Sequence, residues 1–343
     1  MSTVALIQRA TSRHRRYYLE ALRDLEAVTA VAVVDADGST FAEAQETVPG
    51  KPVRTYATIE QLLRAEEPAL AIVTLTGAES PAAISPVLEA GVPVLAEKPA
   101  CVSPDGFAQL VETAERHHAH LMVALCNRLA PWAQDARRIV RQAGIGTLYA
   151  ARAMVLADQA RIWHPRTRDW TFRQADAGGG HLIWLGIHWL DLLLSLSGAR
   201  VVEVQALVAN AGGGPIDVED LATVNLRLAG GALASLVSGY VLDAATTGKQ
   251  MDLSLWGSQG WLRFDMESRT LEWHSSAAGM NEAPHRRFHY DSTGGGYTPF
   301  VRDCLRASLG EIPPPITAAE GLDALRVIFA AYRSAETGQT VRL

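Results

Sequence analysis

The sequence predicts an α/β protein in two parts, in which a parallel sheet covered by helices precedes a part that is rich in strands. In the first third of the 343-residue chain, short apolar runs alternate with segments of helical spacing. This rhythm of strand, helix and strand is typical of a parallel sheet with helices on both faces. After Gly146 further strand-like runs follow, which indicates a second sheet. A chain of this length is long enough for two domains.

The first part contains five apolar runs of strand length and four segments with helical spacing. Strands are predicted at residues 4–7, 28–34, 70–74, 93–96 and 121–125, and helices at residues 15–25, 59–64, 81–90 and 105–118. Ligands of parallel sheets bind beyond the carboxyl ends of the strands. The residues that follow these strands are therefore the first candidates for a binding site.

Composition and charge describe an ordinary soluble globular protein. Hydrophobic residues make up 48% and charged residues 20% of the chain, which is the usual balance for such proteins. The net charge of -6 argues against a nucleic-acid partner, and the apolar run at the N-terminus is too short for a signal peptide or a membrane span. Cys101, Cys126 and Cys304 are widely spaced and fit reduced thiols better than disulfides. We therefore expect a cytoplasmic protein with no nucleic-acid or membrane partner.

A glycine triplet at residues 178–180 opens an apolar segment that is long enough for a buried helix. One face of that helix carries four residues spaced three, four and three apart, which are His181, Trp184, His188 and Asp191. Polar side chains in a buried helix need partners or a cavity. Two interpretations remain open: a core helix with hydrogen-bonded histidines, or a helix that presents a base and a binding platform to a pocket. The histidines match neither HxxxH nor HExxH, so no metal site is predicted.

Three of the predicted strands end at residues that can bind a ligand. The first is followed by a loop at residues 8–13, the second by Asp35, and the fourth by a Glu-Lys-Pro triplet at residues 97–99. Asp35 lies at a suitable distance downstream to hold a ribose hydroxyl, although a carboxylate there can also cap a turn. Lys98 can likewise face a ligand or be a solvated surface residue.

The order of these motifs resembles the Gfo/Idh/MocA family of sugar and cyclitol dehydrogenases over nearly the whole chain. After the opening strand, loop and helix, the motifs are Asp35, Glu97-Lys98-Pro99, Asn127-Arg128, Gly178-Gly179-Gly180, Leu185-Gly186-Ile187-His188, and Pro313-Pro314-Pro315-Ile316-Thr317 with the helix that follows it. The resemblance implies a Rossmann-type dinucleotide-binding domain over residues 1–127 and a substrate-binding α+β domain over residues 128–343. It also implies that the second domain has an open, mostly antiparallel sheet. Strand-like runs at residues 148–156, 201–209, 222–228, 232–240, 251–256 and 261–265 agree with this. Such a sheet supports oligomers in this family, so we expect a homo-oligomer, a dimer or a tetramer.

Two residues acquire catalytic roles from the resemblance. Lys98 corresponds to the lysine beside the nicotinamide and the reacting hydroxyl, and His188 to the histidine that takes the hydroxyl proton. A histidine that titrates near neutrality suits that proton, and a lysine ammonium can stabilise charge on the same oxygen. The expected cofactor-binding residues are Gln8, Arg9, Ala10, Arg13, Asp35, Thr74, Thr76, Glu97, Lys98 and Asn127. The expected substrate-binding residues are Arg128, His164, Arg168, Trp170, His181, Trp184 and His188.

The phosphate-binding loop departs from the family pattern GxGxxG, whose glycine positions fall here on Gln8, Ala10 and Arg13. Glycines at these places allow a tight turn, a close approach of the pyrophosphate and packing of helix on strand. The loop is instead rich in cations, which can hold phosphates by charge. The alternative is a solvated loop that no longer binds a dinucleotide. Asp35 favours NAD over NADP, because a carboxylate there repels a 2′-phosphate.

Trp184 is a second departure, at a position where the family usually has an aspartate that contacts a substrate hydroxyl. A tryptophan accepts no hydrogen bond, but it can stack on the C–H face of a sugar or on an aromatic ring. Residues 158–176 form a segment dense in Arg, Trp and His, which is either a clamp for a carboxylate, phosphate or polyol or a solvated surface loop. We therefore expect a substrate that differs from the family's commonest one.

The predicted function is that of an NAD(P)-dependent oxidoreductase acting on a secondary hydroxyl or keto group of a carbohydrate-like small molecule. Two alternatives remain open. One is a redox-neutral glycosidase or lyase that works through a transient keto sugar on bound NAD. The other is a family member without a dinucleotide, which serves as a binding or scaffold subunit.

Overall fold

The structure is a computed structural model that describes residues 2–142, 144–158, 169–212, 214, 216–243, 249–276 and 285–343. The chain forms two compact units. The first unit comprises Met1–Leu125, Ala175–Gly178 and Gly296–Asp323, and the second comprises Cys126–Gln174, Gly179–Gly295 and Ala324–Leu343. Each unit therefore contains segments that are far apart in the sequence.

The first unit is built on a six-stranded parallel sheet. Its strands are β1 (Ser2–Gln8), β2 (Val28–Val34), β3 (Val53–Tyr56), β4 (Leu70–Thr74), β5 (Val94–Ala96) and β6 (Leu121–Val123). Its first helices are α1 (Arg15–Asp24), α2 (Phe41–Thr47), α3 (Ile59–Ala65), α4 (Ser80–Glu89) and α5 (Pro104–Arg116). The strand order is β3-β2-β1-β4-β5-β6, and every neighbouring pair is parallel. This is the order of a doubly wound dinucleotide-binding sheet, so the predicted fold class is confirmed for this unit.

Within residues 2–125, the structure contains one strand and one helix that the sequence did not predict. β3 lies at the edge of the sheet, and its residues are half-buried or exposed. α2 has seven residues, and its buried residue is Ala44. Neither element shows the strong apolar periodicity by which the other elements were recognised.

Caps and apolar faces explain where the predicted helices of this unit begin and how they pack. Ser103 caps α5 by accepting a hydrogen bond from Gly106 N at 2.9 Å. α1 buries a face that includes Tyr18 and Leu22. At the start of α1, His14 makes no side-chain capping hydrogen bond with the described residues.

The rest of the chain adds the second sheet and further helices. The strands are β7 (Leu148–Asp158), β8 (Val201–Ala209), β9 (Leu221–Leu228), β10 (Leu233–Leu242), β11 (Lys249–Gly257), β12 (Gly260–Asp265), β13 (Thr270–Ser275), β14 (His285–His289) and β15 (Val341–Arg342). The helices in the described part are α6 (Pro131–Arg141), α7 (Gln174–Ala177), α8 (Ile187–Ser197), α9 (Tyr297–Ser308) and α10 (Ala318–Thr337). α9 belongs to the first unit, and α10 runs from the first unit into the second.

The second unit is built on a nine-stranded sheet of order β14-β13-β12-β11-β7-β10-β9-β8-β15. The β7–β10 pair is parallel and the other neighbouring pairs are antiparallel. Alternate residues of β9, such as Val224 and Leu226, are buried, and α8 packs against β7 and β11. Large apolar side chains of other strands are exposed, including Leu207 at 74%. The prediction of a mostly antiparallel, open sheet is therefore confirmed.

One described helical stretch, Gln174–Ser197, has the length and apolarity of a membrane-spanning helix, with 24 residues and a mean hydropathy of 1.2 in its most apolar window. In the protein, 78% of that window is buried. Burial of this extent is what a core helix of a globular protein shows.

Candidate active site

The loop after β1 is held in shape by side chains rather than by glycines. Ser12 N donates to the Arg9 carbonyl oxygen at 3.0 Å, and Arg9 N donates to Ser12 Oγ at 3.0 Å, which closes a tight turn. Ser12 Oγ donates in turn to the carbonyl oxygen of Thr74 at the end of β4. The Arg15 guanidinium donates to the carbonyl oxygens of Ala10 at 2.6 Å and of Ser12 at 3.0 Å. The loop therefore has a defined conformation although its sequence contains no glycine.

Gln8 ends β1, and its side chain is completely buried. Its Nε2 donates to Thr40 Oγ1 at 2.8 Å, and that hydroxyl donates to Asp35 Oδ2 at 2.8 Å. Because an ionised carboxylate only accepts, this chain of contacts fixes the direction of both hydrogen bonds. Gln8 Oε1 is left without a hydrogen-bond partner among the described residues. Gln8 thus occupies the first glycine position by burying its side chain beside the start of α2.

Asp35 follows β2 and is fully buried. Its Oδ2 accepts three hydrogen bonds, from Thr40 N at 2.9 Å, Thr40 Oγ1 at 2.8 Å and Ser39 Oγ at 3.3 Å. Its Oδ1 accepts none from any described residue, and Arg9 Nη1 lies 3.8 Å from it. A buried oxygen without a donor costs free energy unless a ligand supplies one. Asp35 therefore holds the start of α2 with one oxygen, while the other has no hydrogen-bond donor among the described residues.

Thr74 ends β4, next to the loop after β1, and Thr76 follows two residues later. Thr76 N donates to Glu79 Oε2 at 3.4 Å, while Glu79 N donates to Thr76 Oγ1 at 3.2 Å. This is a capping box before α4. Thr74 provides the carbonyl oxygen that anchors Ser12. Both threonines stabilise the surrounding backbone through these hydrogen bonds. Their contacts with a cofactor remain a prediction.

Glu97 and Lys98 follow β5, and both are buried. Glu97 Oε2 accepts a hydrogen bond from Tyr18 OH at 2.6 Å, and Oε1 lies 3.1 Å from His14 Nδ1. Burial by itself would raise the pKa of Glu97, but the charges of His14 and Lys98 and the hydrogen bonds outweigh it and lower the pKa to about 2. Glu97 is therefore a stable anion that ties α1 to the end of β5. The peptide bond from Lys98 to Pro99 is cis.

Asn127 and Arg128 lie in the 3-10 turn Cys126–Leu129 of the second unit. Arg128 binds Asp191 of α8 through two hydrogen bonds, from Nε to Oδ2 at 2.7 Å and from Nη2 to Oδ1 at 2.5 Å. Both side chains of this pair are almost completely buried, whereas Asn127 is half-buried. Because this bidentate pair of charges is buried, Arg128 ties its own turn firmly to α8.

Close packing explains the glycine triplet at residues 178–180. Gly178 has a φ of +78°, in the left-handed region that favours glycine. A Cβ atom on Gly179 would lie 2.1 Å from Tyr332 Oη, and one on Gly180 would lie 1.8 Å from the carbonyl oxygen of Glu219. Any larger residue at either position would therefore displace the start of the following helix.

Glu219 holds that start through backbone contacts. Its Oε2 accepts from Gly180 N at 2.6 Å, and its Oε1 accepts from Leu182 N at 2.8 Å and from Tyr332 OH at 3.2 Å. Burial raises the pKa of Glu219 to about 7, against the opposing effect of the hydrogen bonds from Leu182 and Gly180. Burial and the neighbouring Glu219 carboxylate also raise the pKa of Tyr332 well above its ordinary value. Glu219 therefore serves as the cap of the helix that carries His188.

The helix opens with a π-helical turn, Leu182–Gly186, and continues as α8. Turns of this type occur frequently at functional sites. His181 Nδ1 lies 2.7 Å from Ser238 Oγ of β10, and the His181 ring is edge-on to Tyr240 at 4.3 Å. A Cβ atom on Gly186 would lie 2.6 Å from Ser238 Oγ, so glycine is needed for this contact. These contacts agree with the interpretation of His181 as a hydrogen-bonded core histidine.

Trp184 packs against Trp170, with ring centres 5.4 Å apart and planes at 87°. Both indoles are almost completely buried. His188 lies one turn beyond Trp184 and is half-buried, which makes it the least buried residue of the face that also carries His181 and Asp191. His188 is therefore the member of this face that is best placed to meet a ligand.

Two matches decide the family. Residues 8–125 match the model of an oxidoreductase family with an NAD-binding Rossmann fold, and residues 133–263 match that of the GFO/IDH/MocA C-terminal domain. The chain belongs to the GFO/IDH/MocA family. The predictions of this family, of an oxidoreductase and of NAD as cofactor are confirmed.

Several dehydrogenases are similar to this chain in sequence or in structure. A trans-1,2-dihydrobenzene-1,2-diol dehydrogenase from Mus musculus is 29% identical over 275 residues, which cover 76% of this chain and 75% of the relative. A UDP-N-acetylglucosamine 3-dehydrogenase from Acidithiobacillus ferrooxidans is 31% identical over 189 residues, which cover 55% of this chain and 53% of the relative. The WlbA dehydrogenase from Chromobacterium violaceum, crystallised with NADH and UDP-GlcNAcA, has a TM-score of 0.87 at 24% identity, covering 100% of this chain and 96% of that chain. This last similarity shows the shared fold.

The first unit of this GFO/IDH/MocA chain fits an NAD molecule at two points. Asp35 Oδ1 is a buried acceptor that lacks a donor within the described residues, and a ribose hydroxyl is such a donor. The first turn of α1 has no described side-chain cap, and N–H groups of such a turn bind phosphates. The residues present therefore suit the adenosine ribose and the pyrophosphate of NAD.

Two predicted site residues lie outside the described part of the chain, and the sequence analysis did not identify two residues that support the site. His164 and Arg168, both predicted to bind substrate, lie outside the described residues. Sequence reasoning missed Glu219, because its only local signal is an acidic pair, Glu219-Asp220, directly before β9. It also missed that Arg15 supports the loop carbonyl groups. Across the described ranges, no group of three or more His, Cys, Asp or Glu side chains is arranged to hold a metal ion.

Proposed function

We propose that the chain is an NAD-dependent dehydrogenase that oxidises a secondary hydroxyl of a ring-shaped, carbohydrate-like molecule with one apolar face, or reduces the corresponding ketone. The observation that carries the proposal is the half-buried His188, one helical turn beyond Trp184. A base next to an aromatic side chain suits a hydroxyl that is borne on an apolar ring.

The aromatic residues near His188 narrow the substrate class. Trp184 stands where the family usually has a hydroxyl-binding aspartate, and Trp170 packs against it. An indole attracts C–H faces and aromatic rings but offers no acceptor to a hydroxyl. Relatives are named as dehydrogenases of a dihydrobenzene diol and of a nucleotide sugar, and both substrates carry a secondary hydroxyl on a ring. The tryptophan favours a ring diol with few polar substituents over a bare polyol.

The proposed chemistry assigns one task to each residue. NAD, when bound, accepts a hydride at its nicotinamide ring. Asp35 accepts a hydrogen bond from a ribose hydroxyl through Oδ1, and the first turn of α1 donates N–H groups to the pyrophosphate. His188 takes the hydroxyl proton of the substrate as a general base. Lys98 stabilises the negative charge that develops on the same oxygen, and Glu97 stays ionised beside it.

The open face of the second sheet supports a homo-oligomer, either a dimer or a tetramer. Leu207 and Leu233 are 74% and 53% exposed, and Trp256 is 41% exposed. Exposed apolar patches of this kind mark protein interfaces. Light scattering of the purified protein checks this, and a monomer at micromolar concentration would contradict it. We place the protein in the cytoplasm, which agrees with three buried cysteines that form no disulfide.

The function is tested with NAD and two six-membered carbon rings that differ in polarity, cyclohexane-1,2-diol and myo-inositol. NADH formation is followed by absorbance. We expect a higher kcat/KM for the diol, because one face of its ring is apolar. Preference for inositol would contradict the substrate class and leave the dehydrogenase in place. Turnover of a glycoside without net NADH would instead support redox-neutral chemistry, and no turnover of any ring alcohol would contradict the proposed reaction.

A further inference from the structure

We infer that Ser238 of β10 is a positioning residue of the proposed reaction, because it contacts both ends of the π-helical turn that precedes His188. That turn is Leu182–Gly186, and His188 lies at the start of α8. The inference rests on the proposed function, since it takes His188 as the base. It goes further by tracing the position of that base to one hydroxyl group on a neighbouring strand.

The π-helical turn and the helix that follows it pack on different strands. The turn packs against β10, whereas α8 packs against β7 and β11. Ser238 lies within β10 and is completely buried. In the sheet it is paired with Val155 of β7 on one side and with Ala222 of β9 on the other. The backbone of Ser238 is therefore fixed from both sides, next to the turn.

At the start of the turn, the Ser238 hydroxyl group contacts His181. Ser238 Oγ lies 2.7 Å from His181 Nδ1, which is the distance of a hydrogen bond. The His181 side chain is completely buried, and His181 N donates to the carbonyl oxygen of Glu219 at 3.2 Å. Because a buried polar contact is costly to break, Ser238 fixes the residue from which the turn begins.

At the end of the turn, the same hydroxyl group lies against Gly186. A Cβ atom on Gly186 would lie 2.6 Å from Ser238 Oγ and 3.3 Å from Ser238 Cβ. Gly186 has a φ of -58° and a ψ of -35°, which are ordinary helical values. Glycine is therefore needed here for space and not for its conformational freedom. The hydroxyl group could rotate away from an added methyl group only by leaving His181.

The geometry of this turn determines where His188 points. Hydrogen bonds in a π turn run from i to i+5, so the turn holds one residue more than an α turn. Since an α-helix has about 3.6 residues per turn, one residue corresponds to about 100° around the helix axis. Relaxation to an α turn would rotate His188 by about this angle relative to the residues before the turn. A displacement of about 1 Å is enough to cost about 100-fold in rate, so the two contacts of Ser238 bear directly on the base.

Hydrogen exchange and steady-state kinetics of Ser238→Ala test the inference in the full chain. Amide exchange, followed by mass spectrometry, should be about tenfold faster or more in the peptide over residues 181–188. With NAD and cyclohexane-1,2-diol, kcat should fall by about 10–100-fold, while the dissociation constant of NADH should change by less than about twofold. Ser235→Ala is the matched control, because it removes a hydroxyl group from a half-buried serine of the same strand. It should change none of these quantities.

Gly186→Ala probes the same contact from the side of the helix. Alone it should lower kcat by about tenfold or more, because the new methyl group displaces the hydroxyl group. In the Ser238→Ala background, the methyl group can occupy the space that the hydroxyl group has left. The kcat of the double variant should therefore exceed the value expected from the product of the two single effects by about threefold or more.

Several results would overturn the inference. Unchanged exchange of residues 181–188 in Ser238→Ala would do so, and faster exchange with a normal kcat would make the contact structural only. Equal losses of kcat and of NADH affinity would indicate a general disturbance of the fold, and strictly multiplicative effects would mean that Ser238 and Gly186 share no space. If circular dichroism shows that Ser238→Ala is unfolded, Ser238→Cys takes its place, since a thiol is a weaker hydrogen-bonding group of similar shape. If the wild type oxidises no ring alcohol, the proposed function is contradicted, and the exchange experiment still decides whether Ser238 holds the turn.

Discussion

Glu219→Gln tests whether one buried carboxyl group orients the start of the helix that carries His188. In the wild type, the carboxylate accepts the N–H groups of Gly180 and Leu182 at 2.6 and 2.8 Å. Glutamine has the same shape, but its amide nitrogen cannot accept a hydrogen bond, so one buried N–H group loses its partner. An unsatisfied buried donor costs about 1–3 kcal/mol. We expect that loss in the free energy of unfolding near pH 8, where the wild-type carboxyl group is ionised.

The difference in the free energy of unfolding between the wild type and Glu219→Gln should also depend on pH. Burial raises the pKa of Glu219 from its ordinary value of 4.5 to about 7. For an acid whose folded pKa is raised, the stability is fully present below the unfolded pKa and is lost as the pH rises through the folded pKa. A displacement of this size corresponds to about 3 kcal/mol, since each tenfold change in proton affinity is about 1.4 kcal/mol. Glutamine does not titrate, so the wild-type advantage should be about 3 kcal/mol greater near pH 5 than near pH 8.

Urea unfolding at several pH values, followed by circular dichroism, measures this difference. Glu46→Gln makes the same chemical change at an exposed residue and should follow the wild type at every pH. The reasoning is refuted if the difference between wild type and Glu219→Gln is constant from about pH 5 to about pH 8. A positioning role adds a second readout: kcat should fall more than the affinity for NADH, because the cap acts on the helix of His188 and not on the cofactor site.

Three further outcomes are expected. His188→Asn should keep ligand binding and lower kcat by about 10²–10⁴-fold. Lys98→Met should lower kcat to a similar extent. The double variant should have a kcat only slightly below that of either single variant, because the two residues act as a unit. Normal kcat per folded molecule would contradict both assignments. Trp184→Asp should lower the preference for cyclohexane-1,2-diol over myo-inositol, measured as the ratio of the two kcat/KM values, by about tenfold. An unchanged ratio would mean that Trp184 only packs in the core. Arg128→Met should lower the free energy of unfolding by about 3–5 kcal/mol, because it removes the guanidinium that binds both oxygens of the buried Asp191. Adding Asp191→Leu should recover most of that loss, and a single-variant cost below about 1 kcal/mol in urea unfolding would contradict the buried pair.

The parallel sheet was predictable because its central strands are continuous apolar runs. β1, β2 and β4 are buried along nearly their whole length, as is typical of strands covered on both faces. β3 was not predictable, since an edge strand with half-buried and exposed residues has no such run. The start of α2 depends on the Asp35 carboxylate, which accepts a hydrogen bond from Thr40 N. That contact belongs to the folded loop and leaves no periodic pattern in the sequence.

Helical spacing predicted a polar stripe on the segment that includes α8, but it could not supply the partners of the residues in that stripe. Asp191 pairs with Arg128, which is 63 residues away, and His181 meets Ser238, which is 57 residues away. Contacts of this range follow from the packing of a helix on a sheet and are not encoded in local spacing. Glu219 is a further case: it accepts a hydrogen bond from Gly180 N, 39 residues away, and an acid before a strand has no local feature that indicates a helix cap.

Loss of the glycines from the loop after β1 changes which groups can hold a phosphate, not whether the loop can turn. All residues from Gln8 to Arg13 are described, and none of them has a positive φ, so the conformational reason for glycine is absent here. The steric reason remains, because the methyl group of Ala10 keeps a phosphate farther from the backbone than glycine would. More of the attraction must then come from side-chain cations such as the exposed Arg13. Attraction between exposed charges is screened by salt, so NADH affinity should fall more steeply with ionic strength than in family members that keep all three glycines. Calorimetric titration with NADH at low and moderate salt measures this dependence. Equal slopes of affinity against ionic strength in the two kinds of protein would mean that backbone N–H groups still bind the phosphate.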